Sequence, residues 1–275
     1  MATPIGNLGD LSARAVEALA QADVVCCEDT RRTRGLLSSA GVRGVRLLSV
    51  HGHNEMARVE VVLGHLAEGR TVAVVSDAGT PALSDPGGRL VSAAIAAGAV
   101  VTTVPGPSAA LAGLVVSGLA TDRFCFEGFL PRRGAERRRR IEAVAGEERT
   151  VVLFEAPGRV AATLGGLLEA CGPERRVVVA RELTKVHEEV WRGTLLEASA
   201  HFAGREVRGE VVLVLAGAPD AGRDPDDDAL ADAVRGRLES GDTLRDAVGG
   251  VARELGVPRR RVYNLALELR RNAAT

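Results

Sequence analysis

Short apolar runs, each followed by a polar loop and then a helix-forming segment, set the limits on how this chain folds. The pattern is sharpest at 71–75, Thr-Val-Ala-Val-Val, a run suited to a strand buried on both faces. A loop follows at 76–88, Ser-Asp-Ala-Gly-Thr-Pro-Ala-Leu-Ser-Asp-Pro-Gly-Gly, and then 89–97 reads as a helix with Gly98 placed to stop it. Similar strands are expected at 23–27, 45–50 and 100–104, with Ser12 and Asn54 as helix caps. Strands alternating with helices at this spacing give right-handed β-α-β units and a mostly parallel sheet.

Ligands of open α/β sheets bind beyond the carboxyl ends of the strands. Four polar loops gather at that edge: 28–34, 51–55, 77–88 and 105–108. In the third, Gly79, Gly87 and Gly88 permit close backbone approach, Pro81 and Pro86 stiffen the chain, and Asp77 is the first charge after the apolar run. A rigid hydrogen-bonded turn would explain that loop taken alone; the convergence of four loops favours a ligand. Neither G-x-G-x-x-G nor a G-x-x-x-x-G-K phosphate loop occurs there, which argues against dinucleotide and nucleoside-triphosphate binding.

A second α/β domain is expected after a hinge at 119–123. Strands are read at 124–129, 150–154, 176–180, 190–192 and 209–215, and an acidic linker at 218–228. The remainder is helical, and 244–266 has helix-turn-helix spacing. Ala247, Val251 and Leu255 share a face there, Gly256 makes the turn, and Val262 and Leu265 pack the second helix. The fold class is therefore α/β: domains at 1–118 and 119–220, then a small all-α tail at 229–275.

Charge is balanced, 35 basic against 36 acidic residues, so any nucleic-acid binding rests on local clusters. Three exist. Arg31, Arg32 and Arg34 lie at the ligand edge; 131–140 includes Arg132, Arg137 and Arg138 and holds six arginines with one glutamate; Arg259, Arg260 and Arg261 open the last helix. In a helix-turn-helix, that last position contacts phosphate, and a solvated basic turn is an equal alternative. None of the four cysteines has C-x-x-C spacing, and His51 and His53 have no third ligand nearby, so no metal is expected. His51 could bind RNA or merely orient a neighbouring loop. With no signal peptide and no apolar run of spanning length, the chain reads as cytoplasmic.

Several blocks, in order, resemble one family: Ala-Thr-Pro-Ile-Gly-Asn-Leu-Gly-Asp at 2–10, Glu-Asp-Thr-Arg at 28–31, the segment 51–55, and the loop 76–87. Pro-Gly-Pro-Ser-Ala at 105–109, Gly-Phe-Leu-Pro-Arg at 128–132, Glu-Ala-Pro-Gly-Arg at 155–159 and Arg-Glu-Leu-Thr-Lys at 181–185 continue it. Together they look like the bacterial 16S rRNA cytidine 2′-O-methyltransferases of the tetrapyrrole methylase superfamily. The resemblance implies S-adenosylmethionine folded into a cleft between two α/β domains, the 30S subunit's rRNA as substrate, and a homodimer. It also implies a cofactor site made by Pro4, Asp77, Ala78, Gly79, Thr80, Ser108 and Ala109 from the first domain. Glu155, Ala156 and the last strand near Ala216 and Gly217 would face it from the second.

Methyl transfer to a ribose hydroxyl is an in-line displacement that positioning accelerates and a general base assists. Strand-tip candidates for the base are Glu28, Asp29, Asp77, Glu182, His187 and Glu188. Glu182 is preferred, with Lys185 lowering the hydroxyl's pKa or holding a phosphate; a structural ion-pair cluster is the competing account. Family members usually carry an apolar strand before the Ala-Thr-Pro-Ile-Gly-Asn block, so the native start is expected to lie upstream of Met1. Two alternatives are a tetrapyrrole C-methyltransferase, and a helix-turn-helix DNA-binding regulator with a ligand-sensing body. The Thr-Pro-Ile-Gly-Asn opening and the helical tail speak against the first, and the cleft loops against the second.

Overall fold

The computed structural model describes residues 1–219, 227–255 and 257–272, without the side chains of 253, 254 and 269–272. Met1–Ala218 pack as one unit and Pro219–Thr275 as another. The acidic linker expected at 218–228 and the turn at Gly256 fall largely outside the described residues.

The first unit opens with a 3₁₀ turn at Leu8–Asp10 and helix α1 (Ala13–Gln21), whose first turn Ser12 caps by accepting the Ala15 N–H. There follow β1 (Val24–Cys27), α2 (Thr30–Ser39), β2 (Arg46–Ser49), α3 (Glu55–Ala67), β3 (Val72–Val74) and α4 (Gly88–Ala96). The strands form a parallel sheet in the order β2-β1-β3. All four residues of β1 are buried, as a central strand covered on both faces requires.

Three local expectations change. Residues 100–104 form no strand, and Val100 is 97% exposed. Among the described residues no strand pairs with them; the Thr103 and Val104 carbonyls accept from Arg14 and Ala2 instead. Asn54 makes no side-chain cap for α3, because its amide is turned back to bond the His51 N–H and the Ser49 carbonyl. Arg31, Arg32 and Arg34 lie within α2 rather than in a loop, because Asp29 caps that helix.

Helix α5 (Ala109–Ser117) leads to β4 (Phe124–Phe129), α6 (Gly134–Ala145), β5 (Thr150–Glu155) and α7 (Val160–Cys171). The unit closes with β6 (Arg176–Arg181), β7 (Glu189–Thr194), α8 (Leu195–Phe202) and β8 (Val211–Leu215). The sheet order is β4-β5-β8-β6-β7, and only β4 and β5 are parallel neighbours. Ala110 and Leu114 of α5 share a core with Val152, Val178 and Val212 of this second sheet. The approach is close: a Cβ on Gly113 would stand 2.7 Å from a Val212 methyl.

The second unit packs α9 (Asp227–Glu239), α10 (Leu244–Glu254) and α11 (Arg259–Asn272) around Leu230, Val234, Val248, Val251 and Val262. Ala247, Val251 and Val262 are buried as their spacing predicts. Leu255 is 38% exposed, since it falls at the C-cap of α10, past the last full turn.

Candidate active site

Strand direction decides what meets at the cavity. Strand β8 runs antiparallel to β5 and β6, with Val211 opposite both Glu155 and Arg181. The start of β8 therefore joins the carboxyl ends of β5 and β6. Against these ends lie the loops after β1 and β3 and the N-terminus of α5, enclosing a cavity of about 430 Å³. Its wall includes Ile5, Glu28, Arg32, Asp77, Ala78, Gly79, Thr80, Asp85, Ser108, Ala109, Phe129, Phe154, Glu155, Ala156, Leu183, Glu210 and Val212.

The 76–88 loop is held from several sides. Thr3 and Gly79 exchange both backbone bonds, at 2.9 and 3.0 Å. The Thr3 hydroxyl donates to the Ser76 carbonyl at 3.1 Å, and the Ser76 hydroxyl donates to Gly79 O at 3.0 Å. Thr80 donates to Pro107 O at 3.2 Å, tying the loop to the segment that starts α5. At its far end the buried Glu55 carboxylate accepts the N–H groups of Gly87 and Arg89, at 3.0 and 2.9 Å, and so caps α4 from a neighbouring helix. Between these anchors Ala82 and Ser84 sit at φ +68° and +65°, a region that L residues seldom occupy.

The cavity is acidic. Asp77 accepts the Asp29 N–H at 3.0 Å, beside the start of α2, and lies 3.6 Å from Arg32. Partial burial raises the Glu28 carboxyl, with Asp77 adding to the effect. Burial, with Glu28 and Asp77 next in weight, pushes Asp85 up to about 6. Glu155 is 2% exposed and fully engaged: it accepts from Ala156 N–H at 2.8 Å, from Arg159 at 2.9 Å and from the Thr163 hydroxyl at 2.5 Å. Its carboxylate fixes the loop after β5 and leaves small Ala156 at the wall.

Of the cofactor positions expected from sequence, Asp77, Ala78, Gly79, Thr80, Ser108, Ala109, Glu155 and Ala156 line the cavity together. Pro4 does not; its neighbour Ile5 does. Ala216 lies past the opposite end of β8, where its carbonyl accepts from Arg175. The antiparallel course of β8 explains that correction: Gly209, Glu210, Val211 and Val212 take the place expected for Ala216 and Gly217.

Glu182 and Lys185 are also off the wall. Lys185 Nζ bonds Glu182 at 2.7 Å and Glu210 at 2.9 Å, and Glu182 also accepts the Glu210 N–H at 3.0 Å. The hydrogen bond from Lys185 holds the Glu182 carboxyl below its usual range, which makes it a poorer proton acceptor. Residues 182 and 184 have φ +53° and +68°, and the Lys185 stem packs where a Cβ on Gly6 would lie, so that such a Cβ would clash with Lys185 Cγ. The pair pins a strained turn against the N-terminal loop.

Among the RNA candidates, Arg32 lines the cavity. Arg31 is exposed on α2, 3.4 Å from Asp29, and the His51 ring meets His53 edge-on at 6.1 Å. Arg132 and Arg138 are exposed, whereas Arg137 is half-buried and donates to Pro131 O and Thr163 at 3.1 and 2.8 Å. Arg260 is exposed on α11, in the second unit. Asp85 and Glu210 were not singled out from sequence. Ser84-Asp85 repeats Ser76-Asp77 within one loop, a signal for the first; Glu210 becomes visible only once β8 is known to start at the cavity.

Residues 2–199 match the model of the Tetrapyrrole (Corrin/Porphyrin) Methylases. Ribosomal RNA small subunit methyltransferase I of Synechocystis is 46% identical over 270 residues, covering 98% of this chain and 96% of its own length. The protein of that name from Mycobacterium tuberculosis is 47% identical, over 98% of this chain and 94% of its own. Among solved structures, the methyltransferase CobJ aligns with TM-score 0.59 at 22% identity, over 80% of this chain and 94% of its own. A uroporphyrin-III C-methyltransferase from Thermus thermophilus, solved with S-adenyl homocysteine, aligns with TM-score 0.53 at 21% identity, over 78% and 94%. At those identities the structures speak for the fold alone. On the family match and the near full-length relatives, the chain belongs to the tetrapyrrole (corrin/porphyrin) methylases, and within them to the group of ribosomal RNA small subunit methyltransferase I.

Proposed function

We propose that this protein is an S-adenosylmethionine-dependent methyltransferase that methylates the 2′-hydroxyl of a cytidine in the 16S rRNA of the small ribosomal subunit. The observation that carries the reading is one cavity lined by loops of both sheets, in a chain 46–47% identical over nearly its full length to relatives bearing that name. Its size and chemistry fit the cofactor. About 430 Å³ lies in the range of small-molecule sites. Ile5, Phe154, Leu183 and Val212 offer apolar surface for a flat base, and small Ala78, Gly79, Ala109 and Ala156 let backbone polar groups approach. The surrounding carboxylates suit an amine and a sulfonium. When bound, S-adenosylmethionine would supply an electrophilic methyl group.

The residues assigned to hold it are Asp77, Ala78, Gly79, Thr80, Ser108, Ala109 and Ala156, with Glu155 fixing the last of these. Glu182 and Lys185 are positioning residues in this reading, holding Leu183 and Glu210 at the wall. Arg32 grips a phosphate next to the target nucleotide at the cavity mouth, and Arg31, His51, Arg132, Arg138 and Arg260 extend the RNA contact. Arg137 supports the α6 face from beneath. The homodimer and the cytoplasmic location expected from sequence remain part of the proposal. No described helix is long and apolar enough to cross a membrane.

The test is transfer from labelled S-adenosylmethionine to 30S subunits lacking the modification, followed by nucleoside mass spectrometry. A 2′-O-methylcytidine product is expected. Methylation of a base, of duplex DNA or of a tetrapyrrole in its place would overturn the assignment.

A further inference from the structure

We propose that Asp85 is the general base of the methyl transfer, taking the proton of the acceptor ribose hydroxyl; this rests on the function proposed above. Asp85 lies on the cavity wall, and among the described residues no cation pairs with it. The other carboxylates there are committed elsewhere. Asp77 is held by the Asp29 N–H and lies near Arg32, Glu155 is enclosed by Arg159 and Thr163, and Glu210 is bonded to Lys185. Glu28 is the remaining acid; burial and then Asp77 raise its carboxyl too, but Arg32 and His51 oppose that rise, and no cation is among the groups acting on Asp85.

The groups facing Asp85 come from three segments: Glu28 after β1, Ser76 and Asp77 after β3, and Glu210 before β8. Burial first, and then the three carboxylates, disfavour its charge, and the Ser76 hydroxyl opposes them in part. An acid poised about 6 is ionised at neutral pH yet accepts a proton more readily than an ordinary aspartate. Its backbone is fixed as a positioned base requires, between the strained Ser84 and the Gly87 N–H held by Glu55. In the step, the O2′–H bond breaks and its proton passes to the Asp85 carboxylate. The O2′–CH₃ bond forms as the S–CH₃ bond breaks, its electron pair staying on sulfur, and Asp85 then releases the proton to solvent.

Three readouts test this on the full chain. Single-turnover methylation of 30S subunits by the wild type should rise about tenfold per pH unit below about 6 and level above it. Asp85→Asn should lower the plateau at least about 100-fold while leaving S-adenosylhomocysteine affinity within about threefold. Without any substrate, a ¹³C carboxyl resonance titrating near pH 6 should be present in the wild type and lost in the variant. A variant rate within about fivefold of wild type overturns the role, and so does a wild type with no carboxyl titrating between about pH 5 and 7. If the variant loses S-adenosylhomocysteine, the wild-type profile decides: a break near pH 6 supports Asp85, a flat rate overturns it. A wild-type chain that binds S-adenosylhomocysteine but methylates no RNA overturns the underlying function and the role with it, a result distinct from an active Asp85→Asn chain.

Discussion

Gly128 and Ser84 meet across the cavity rim, so closely that a Cβ on Gly128 would stand 2.8 Å from the Ser84 hydroxyl oxygen. Gly128 lies at φ +64°, at a register shift of β4 against β5, and Ser84 is itself at φ +65°. The second sheet thus leaves a gap in which the strained part of the 76–88 loop rests. Gly128→Ala should cost about 2 kcal/mol from the left-handed backbone and the clash together. Thermal unfolding should fall by several degrees, and S-adenosylhomocysteine should bind more weakly. A variant with unchanged melting and affinity would show that this contact does not hold the loop.

Glu55 supports the same loop from its other end. Its buried carboxylate accepts the Gly87 and Arg89 N–H groups, and Glu55→Ala leaves both donors without that partner. The expected loss is about 2–3 kcal/mol, the range for hydrogen bonds to a charged group. Glu55→Gln keeps a neutral acceptor, so about half of that should return. Urea unfolding of the two variants checks the ordering; equal losses would mean that shape rather than charge matters.

The strand–loop–helix rhythm of the first half was legible because each apolar run is short and each loop carries glycine, proline or a capping residue. The eight expected cofactor positions that line the cavity all follow such a run or begin such a helix. Long-range partners were not legible. Asn54 has the chemistry of a cap, yet the His51 N–H and the Ser49 carbonyl bond it more favourably where it sits. Strand β8 has the same apolar pattern in either direction, so its antiparallel course, which sends Ala216 away from the cavity and brings Glu210 in, is set by pairing across the sheet. Glu182 and Lys185 showed the right residue types at a strand tip, and only geometry reveals that each is taken up by the other and by Glu210.

Asp85 makes stability depend on pH in a direction opposite to that of a salt-bridged carboxylate. Its native pKa of about 6 is above the ordinary 3.8. The native state therefore holds a proton that the unfolded chain has released, and stability falls as pH rises from about 4 to about 6. Asp85→Asn removes that ionisation. Discounted for the partial exposure of the group, the variant should be more stable than wild type by about 1 kcal/mol at pH 7, with the difference vanishing near pH 4. Denaturant unfolding at both values measures it. A variant less stable at pH 7 would mean that the carboxylate is structurally favourable where it stands.

The arginines of α6 should separate into two classes. Arg138 and Arg139 are exposed, whereas Arg137 donates to the Pro131 carbonyl and to Thr163, which in turn donates to Glu155 at the cavity. Arg137→Ala should therefore cost about 1–2 kcal/mol of stability through lost hydrogen bonds to buried partners. The double substitution Arg138→Glu with Arg139→Glu should leave thermal unfolding and S-adenosylhomocysteine binding unchanged. Its effect should fall on the RNA: weaker binding to 30S subunits, and a salt dependence of log Kd shallower by roughly 1.4–1.8 if both side chains meet phosphates. Filter binding across salt concentrations distinguishes the cases. An unchanged slope would assign these arginines to a solvated face and leave Arg32 at the cavity mouth as the phosphate contact to test next.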